Sequence, residues 1–253
     1  VSDPIQQAAA ILKQSLAVCA LTGAGVSKES GVPTFRDALE GLWANYDPEQ
    51  LATRRAYENN PKMVWDWYAY RRERVAQVQP NPGHHALKDL ERHFQAFTVI
   101  TQNVDSLHEA AGSQDIIHLH GELARTRCFY DCNGAPTLVD LAALTYDKDD
   151  GPPQCPNCGR KSLRPDVVWF GEMLPEHDLS RAMHISQMTD AMLVIGTSGL
   201  VTPAATLPRV AKEYGAKIIE VNPDYSMITR YADVKLEGPS GEMLPKLVEA
   251  LNA

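Results

Sequence analysis

Short runs of Val, Ile and Leu, each closing on a Gly-rich or polar segment, punctuate this chain. Leu16–Leu21 runs into Thr22-Gly23-Ala24-Gly25, Phe97–Thr101 into Gln102-Asn103-Val104-Asp105, and Ile116–Leu119 into His120-Gly121. Met192–Ile195 precedes Gly196-Thr197-Ser198, and Lys217–Val221 precedes Asn222-Pro223. Apolar runs this short, bounded by turn residues, read as strands buried on both faces. Between them lie stretches of helical periodicity: Ile5, Ala8, Ala9 and Leu12, then Ala86–Phe94, Leu179–Met188 and Ala204–Tyr214. The alternation predicts an α/β fold with a doubly wound parallel sheet. Ligands of such sheets bind outside the carboxyl ends of the strands, where the polar segments gather.

Two stretches break the alternation. Residues 37–82 carry a concentration of aromatics, Trp43, Tyr46, Tyr57, Trp65, Trp67, Tyr68 and Tyr70, and a helical run over Pro61–Gln77, while 125–164 is poor in strong apolar runs and rich in Pro, Gly and Cys. The second stretch holds Cys128, Cys132, Cys155 and Cys158, and Cys19 lies alone far upstream in an apolar strand, as a small core hydrophobe. Two close Cys pairs separated by a loop suit one tetrahedral, structural Zn2+ per chain. Reduced thiols in a loop are the alternative. A segment with so little apolar material gains most from a metal staple, so both stretches are expected to form one smaller domain.

Composition narrows the class. Apolar residues at 44% and charged residues at 22% of 253 are those of a globular chain, and a net charge of -8 disfavours nucleic-acid phosphate as a partner. No apolar run reaches the ~18 residues of a membrane span, and no signal peptide is visible, so a cytoplasmic protein is expected.

Gly23-Ala24-Gly25 after a strand can cradle a pyrophosphate, or simply make a tight strand–helix turn. Lys28 stands where the dinucleotide fingerprint has its third Gly, which disfavours a hydride-transfer dehydrogenase. With Val26-Ser27 and Ser30-Gly31-Val32-Pro33-Thr34-Phe35-Arg36, however, this turn resembles the opening signature of the sirtuins, NAD-dependent protein-lysine deacylases. Thr101-Gln102-Asn103-Val104-Asp105, His118-Leu119-His120-Gly121, Gly196-Thr197-Ser198 and Val221-Asn222-Pro223 match later motifs of that family in the same order. The Cys pairs fall where the family carries structural zinc, and Val168-Trp169-Phe170-Gly171-Glu172 resembles its substrate-binding strand. The likeness runs from about Leu21 to the end. Two departures stand out: Thr34 replaces a common Asp, and the first Cys pair is one residue longer than usual.

The resemblance implies that NAD is a co-substrate. The acyl-lysine oxygen displaces nicotinamide from the ribose, and a ribose hydroxyl must then lose its proton to attack the product of that step. Imidazole, with an ordinary pKa of about 6.5, suits such a base, and His120 is the matching residue. By the same resemblance, Gly23, Ala24, Gly25 and Ser27 line the nucleotide turn, and Phe35 and Arg36 form a flap over nicotinamide and phosphate. Gln102, Asn103 and Asp105 orient ribose and nicotinamide. Gly196, Thr197 and Ser198 meet phosphate or ribose, Asn222 and Pro223 the adenosine ribose, and Ser240 the adenine.

Trp65-Asp66-Trp67-Tyr68-Ala69-Tyr70-Arg71-Arg72 is the most informative local feature. Tyr68 and Arg71 share one face of the predicted helix. That Tyr-x-x-Arg pair resembles sirtuins accepting succinyl and malonyl groups, since Arg forks onto a carboxylate and Tyr adds a hydrogen bond. A solvated helix face, with Asp66 and Glu73 offsetting Arg71, Arg72 and Arg74, is the alternative.

The expectation is a Rossmann-like NAD-binding domain (1–36, 83–124 and 165–253) with a small domain from insertions 37–82 (helical) and 125–164 (zinc-binding). A monomer, it would remove succinyl, malonyl and acetyl groups from lysines of proteins or peptides, releasing nicotinamide and 2′-O-acyl-ADP-ribose. Val168, Phe170, Gly171, Glu172 and Gly199 would hold the peptide as an added strand. ADP-ribosyl transfer to protein, or a non-catalytic zinc-ribbon module, are the other readings.

Overall fold

The computed structural model describes residues 3–32 and 51–253. In chain order these form α1 (Pro4–Lys13), β1 (Ala17–Thr22), α2 (Ala24–Lys28), α3 (Arg54–Asn59), α4 (Pro61–Val75), α5 (Pro82–Leu90), β2 (Ala96–Thr101), α6 (Leu107–Ala111) and β3 (Ile116–His118). There follow β4 (Gly121–Cys128), β5 (Leu163–Val167), α7 (Glu176–Met188), β6 (Ala191–Ile195), α8 (Leu207–Glu213), β7 (Lys217–Val221), β8 (Val234–Leu236) and α9 (Ser240–Asn252). Three helices start by one device, a capping side chain followed by Pro. Asp3 caps α1 before Pro4, Asn60 caps α4 before Pro61, and Asn81 caps α5 before Pro82. The cap takes an amide proton that the first turn leaves unpaired, and Pro has no such proton to waste.

The chain divides into two compact units: Val1–Thr34 with Gln79–Leu119 and Pro175–Ala253, and Phe35–Val78 with His120–Leu174. The first holds a parallel sheet in the order β3-β2-β1-β6-β7-β8. One face carries Val18, Ala20, Val99, Leu193, Ile195, Ile219 and Val221 against α1, α5 and α9. α7 and α8 pack on the other, where Cys19 is fully buried and burial pushes its thiol up to about 12. Strand order reverses between β1 and β6, the switch point at which such sheets bind ligands.

The second unit is built differently. β4 and β5 make an antiparallel ribbon whose charged residues pair across it, Arg125 and Arg127 both reaching Asp166. Trp65, Cys128, Cys155 and Leu163 form one small hydrophobic cluster beside Val139, Leu141 and Tyr146, and Tyr57, Trp67, Tyr68, Phe129 and Trp169 are also buried.

Several sequence expectations shift. The first strand begins at Ala17, leaving Leu16 exposed, and α4 stops at Val75. Ala204–Tyr214 opens as a 3-10 turn before α8, because Pro208 fits only the first turn of a helix. The divisions also differ from the expected 1–36, 83–124 and 165–253. The β4–β5 ribbon binds residues on both sides of the Cys-bearing insertion into the second unit, so that unit spans His120–Leu174. Val168–Glu172 is not a strand: the ladder ends at Val167, and Phe170 alone bridges Thr53. Among the described residues, no helix is long and apolar enough to cross a membrane.

Candidate functional site

Hydrogen bonds carry the sheet ladder past the strand ends and so set the loops. Gly23 N–H donates to the Ile195 carbonyl, Gln102 N–H to Thr22, Gly196 N–H to Val221 and Asn222 N–H to Leu236. The polar segments therefore converge on the switch point. There the backbone after β1 meets the backbone after β6 so closely that a Cβ on Gly25 would lie 2.7 Å from the Gly196 Cα. Gly196 itself has φ of 59°, and a Cβ on it would sit 2.6 Å from the Val26 nitrogen. Glycine is required at this crossing on both counts. Two amides of the turn are consumed in making it, Gly25 N–H donating to Gly196 and Val26 N–H to Gly23. Exposed Ala24 leads the turn.

Side chains tie these loops together. Asn103 Nδ2 donates to Ser27 Oγ (3.0 Å), Gln102 Nε2 to Thr197 Oγ1 (3.1 Å), and Asn222 Nδ2 to the Thr197 carbonyl (3.0 Å). Asp105 is buried, and burial lifts its carboxyl above the usual range against the opposing Ser27 and Leu107 hydrogen bonds. Ser198 and Pro223 lie exposed beside them. Ser240 opens α9, and its hydroxyl donates to Glu29 (2.7 Å), as does Gly241 N–H. Ser240 thus has a partner already, and Glu29 holds the α9 start onto the segment after β1. Phe35 and Arg36 lie outside the described residues.

Several participants escaped the sequence reading. Thr22 Oγ1 donates to Thr101 Oγ1, which also accepts from Asn103 N–H, so two strand-end threonines set the Asn103 backbone. Asn81 Nδ2 donates to the Val26 carbonyl and Ser30 Oγ. Threonine at a strand end and Asn before Pro were the only signals.

In the second unit, half-buried His120 accepts Val168 N–H on its carbonyl (2.9 Å), at the start of the β4–β5 ribbon. His118 in β3 instead pairs with Glu109; burial opposes ionisation of that carboxyl, but His118 outweighs it and holds Glu109 below its usual range. Exposed Phe170 donates its N–H to the Ala52 carbonyl, and Gly171 has φ of 84°. The Glu172 side chain faces inward: Arg164 forks onto it (2.6 and 3.0 Å), Trp169 N–H donates to it (2.9 Å), and Arg54 stands at 3.4 Å. Burial resists its charge, yet Arg164 prevails and keeps Glu172 below the usual range. Any substrate contact at Glu172 is left to its main chain. Gly199, in the first unit with φ of 69°, lies beside Met227 and Ile228.

Tyr68 and Arg71 are brought together on α4, the Arg71 guanidinium 5.5 Å from the Tyr68 ring centre and 5.1 Å from that of Trp67. Tyr68 is buried and Arg71 half-buried. Tyr68 packs against Trp67 and Trp169 in the interior of the second unit, while Arg71 keeps part of its surface exposed.

The four Sγ atoms of Cys128, Cys132, Cys155 and Cys158 lie within 4.8 Å of one another. Cys128–Cys158 and Cys132–Cys155 are 3.9 and 3.7 Å apart. Sulfurs at the corners of a tetrahedron with ~2.3 Å zinc bonds would stand about 3.8 Å apart, so the cluster is able to hold one structural zinc. Four thiolates leave no open position for a water, which excludes hydrolytic chemistry at that metal.

A family model described as the Sir2 family matches residues 23–203. An NAD-dependent protein deacylase of Pyrococcus abyssi is 48% identical over 244 residues, 96% of this chain and 96% of that one. A solved complex of a Sir2 homologue with NAD superposes with a TM-score of 0.88 at 44% identity, covering 98% of this chain and 93% of the other. A mutant Sir2 homologue bound to 2′-O-acetyl ADP-ribose gives 0.87 at 44%, with 97% and 96% covered.

Proposed function

This chain belongs to the Sir2 family, and on that premise we propose that it is an NAD-dependent protein-lysine deacylase releasing nicotinamide and 2′-O-acyl-ADP-ribose. One observation carries the reading: Gly23–Gly25, Gln102–Asp105 and Gly196–Ser198 converge at the switch point of the sheet, linked by Asn103–Ser27 and Gln102–Thr197. The glycine crossing draws the loops after β1 and β6 together at the strand ends, where a dinucleotide would bind. Gln102, Asn103 and Asp105 then orient ribose and nicotinamide, Ser27 holds Asn103 in place, and Asn222, Pro223 and Ser240 attend the adenosine end. Phe35 and Arg36 cover nicotinamide and phosphate. His120 takes the proton of the ribose hydroxyl, as an imidazole can near neutrality. The main chain of Val168, Phe170, Gly171 and Glu172, with Gly199, receives the peptide. NAD supplies the electrophilic ribose carbon; zinc on the four cysteines supplies rigidity.

The acyl group is an acidic one, succinyl or malonyl, with acetyl also accepted. Arg71 can fork onto the acyl carboxylate and Tyr68 can donate to it, and their proximity on α4 supports this assignment. The protein acts as a monomer in the cytoplasm, on acylated proteins and not on nucleic acid. Incubation with NAD and one peptide bearing succinyl-, malonyl- or acetyl-lysine tests the reading. Free nicotinamide with acyl-ADP-ribose is the expected result; nicotinamide with an ADP-ribosylated protein, or neither product, overturns it.

A further inference from the structure

Trp169 belongs to none of the roles assigned so far, yet its side chain is held on several sides within the second unit. It is 1% exposed. Its amide is held by Glu172, the Arg164 guanidinium lies 3.2 Å from its ring centre, and Tyr57, Phe129 and Tyr68 surround it. Its one polar side-chain atom, Nε1, donates to the Tyr68 hydroxyl at 2.9 Å, across 101 positions of sequence. An indole N–H can only donate, so the Tyr68 oxygen must be the acceptor in this bond. The hydroxyl proton therefore points elsewhere, and among the described residues no acceptor takes it.

We infer that Trp169 is a positioning residue for acyl selectivity: it occupies the acceptor side of the Tyr68 hydroxyl and so aims its proton at the carboxylate of an acidic acyl group. The inference rests on the acidic-acyl reading of Tyr68 and Arg71. The direction of the bond matters because a freely rotating phenol could equally turn a lone pair toward the carboxylate, which repels it. Receiving a hydrogen bond also polarises the O–H, making it a stronger donor. Burial keeps the phenol protonated, raising its pKa against the opposing Arg71 charge and the Trp169 bond. The supports of the indole reach back to the fully buried Arg164, whose charge requires Glu172 as partner. Fixing the tryptophan is thus a consequence of burying that ion pair.

The test is the ratio of kcat/KM for succinyl- over acetyl-lysine in one peptide, measured with NAD for the intact protein and its Trp169→Phe, Tyr68→Phe and double variants. Trp169→Phe should lower the ratio about three- to tenfold, the scale of one neutral hydrogen bond. Added to Tyr68→Phe it should lower the ratio no further, because its effect passes through the hydroxyl. Replacing Trp169 by benzothienylalanine, which keeps the ring shape without the N–H, should reproduce the phenylalanine result and separates the hydrogen bond from packing. A Trp169→Phe loss shared equally by both acyl groups, or repeated in the Tyr68→Phe background, overturns the inference and leaves the acidic-acyl reading standing. A ratio unmoved by Tyr68→Phe and Arg71→Met overturns that reading, and the inference with it.

Discussion

The two units reach order by different means. The first buries a continuous apolar layer between sheet and helices, Val18, Ala20, Leu193 and Ile219 against Leu12, Leu87, Leu244 and Leu247. Its polar site sits at strand ends whose positions the ladder dictates. In the second, an aromatic group around Trp169 and a small cluster around Trp65 and Leu163 share the interior with a buried ion pair and with Cys128 and Cys155 of the four-cysteine cluster. A hydrophobic layer tolerates loss of one member, because its stabilisation is spread over many contacts. A structure tied through a metal cluster and one Arg–Glu pair is expected to fail at single points. Among the described residues the tryptophans, Trp65, Trp67 and Trp169, all fall in the second unit, so their emission reports on that unit.

The largest effect expected is from metal removal. A strong chelator should release about one zinc per chain, as four thiolates imply. Tryptophan emission should then shift and deacylation cease, while amide protection of β1, β2 and β6 persists. Protection lost from both units together would break the contrast, and absence of bound zinc would remove its basis.

Next in size is His120→Ala. Losing a positioned base typically costs ~10²–10⁴-fold, and deacylation should fall by that order. Exchange of labelled nicotinamide into NAD should survive, since it precedes the proton transfer. A larger loss in His118→Ala would assign the base to the wrong histidine.

Arg71→Met follows. It keeps most of the stem but strands the acyl carboxylate, and charged hydrogen bonds of ~1.5–3 kcal/mol correspond to ~10–200-fold in the succinyl-to-acetyl ratio. An equal fall for both acyl groups would make α4 merely structural.

The smallest effect sharpens the contrast from the other side. His84 and His108 are buried in the first unit, ring centres 4.9 Å apart, and burial lowers them from 6.5 to about 3 and about 4. Below pH ~6.5 the unfolded chain binds protons that the folded one refuses, so stability present above that value is lost as pH falls toward 4. The midpoint of first-unit unfolding, followed by amide exchange, should drop over this window, and His108→Gln should flatten the slope. An unchanged slope would clear the pair of responsibility.

Much of this was legible in the chain. The five strands ahead of polar segments were visible because each lies in a short, contiguous apolar run, and the sixth, Val234–Leu236, gave no such signal because Lys235 interrupts it. α9 gives a weak signal although Leu244, Leu247 and Val248 have helical spacing, because Pro245 within it obscures the pattern. The β4–β5 ribbon was hidden because its alternate residues are charged, and their neutralisation depends on Asp166 some 40 residues away. Cys spacing announced a metal site, but only the folded chain brings Cys132 to 3.7 Å from Cys155.

What sequence alone determined are features whose cause is local: periodicity, caps before Pro, the Tyr68–Arg71 face of one helix, and the motif order of the family. What the tertiary structure decided are pairings between distant segments: Gly25 against Gly196, Ser240 on Glu29, the turning inward of Glu172, and Trp169 on Tyr68. The division has a physical reason. Helical and strand periodicities repeat over a few residues and so appear in any window of the chain. A hydrogen bond across 101 positions exists only once burial has excluded water from both partners, and no local pattern records which side chains that burial will bring together.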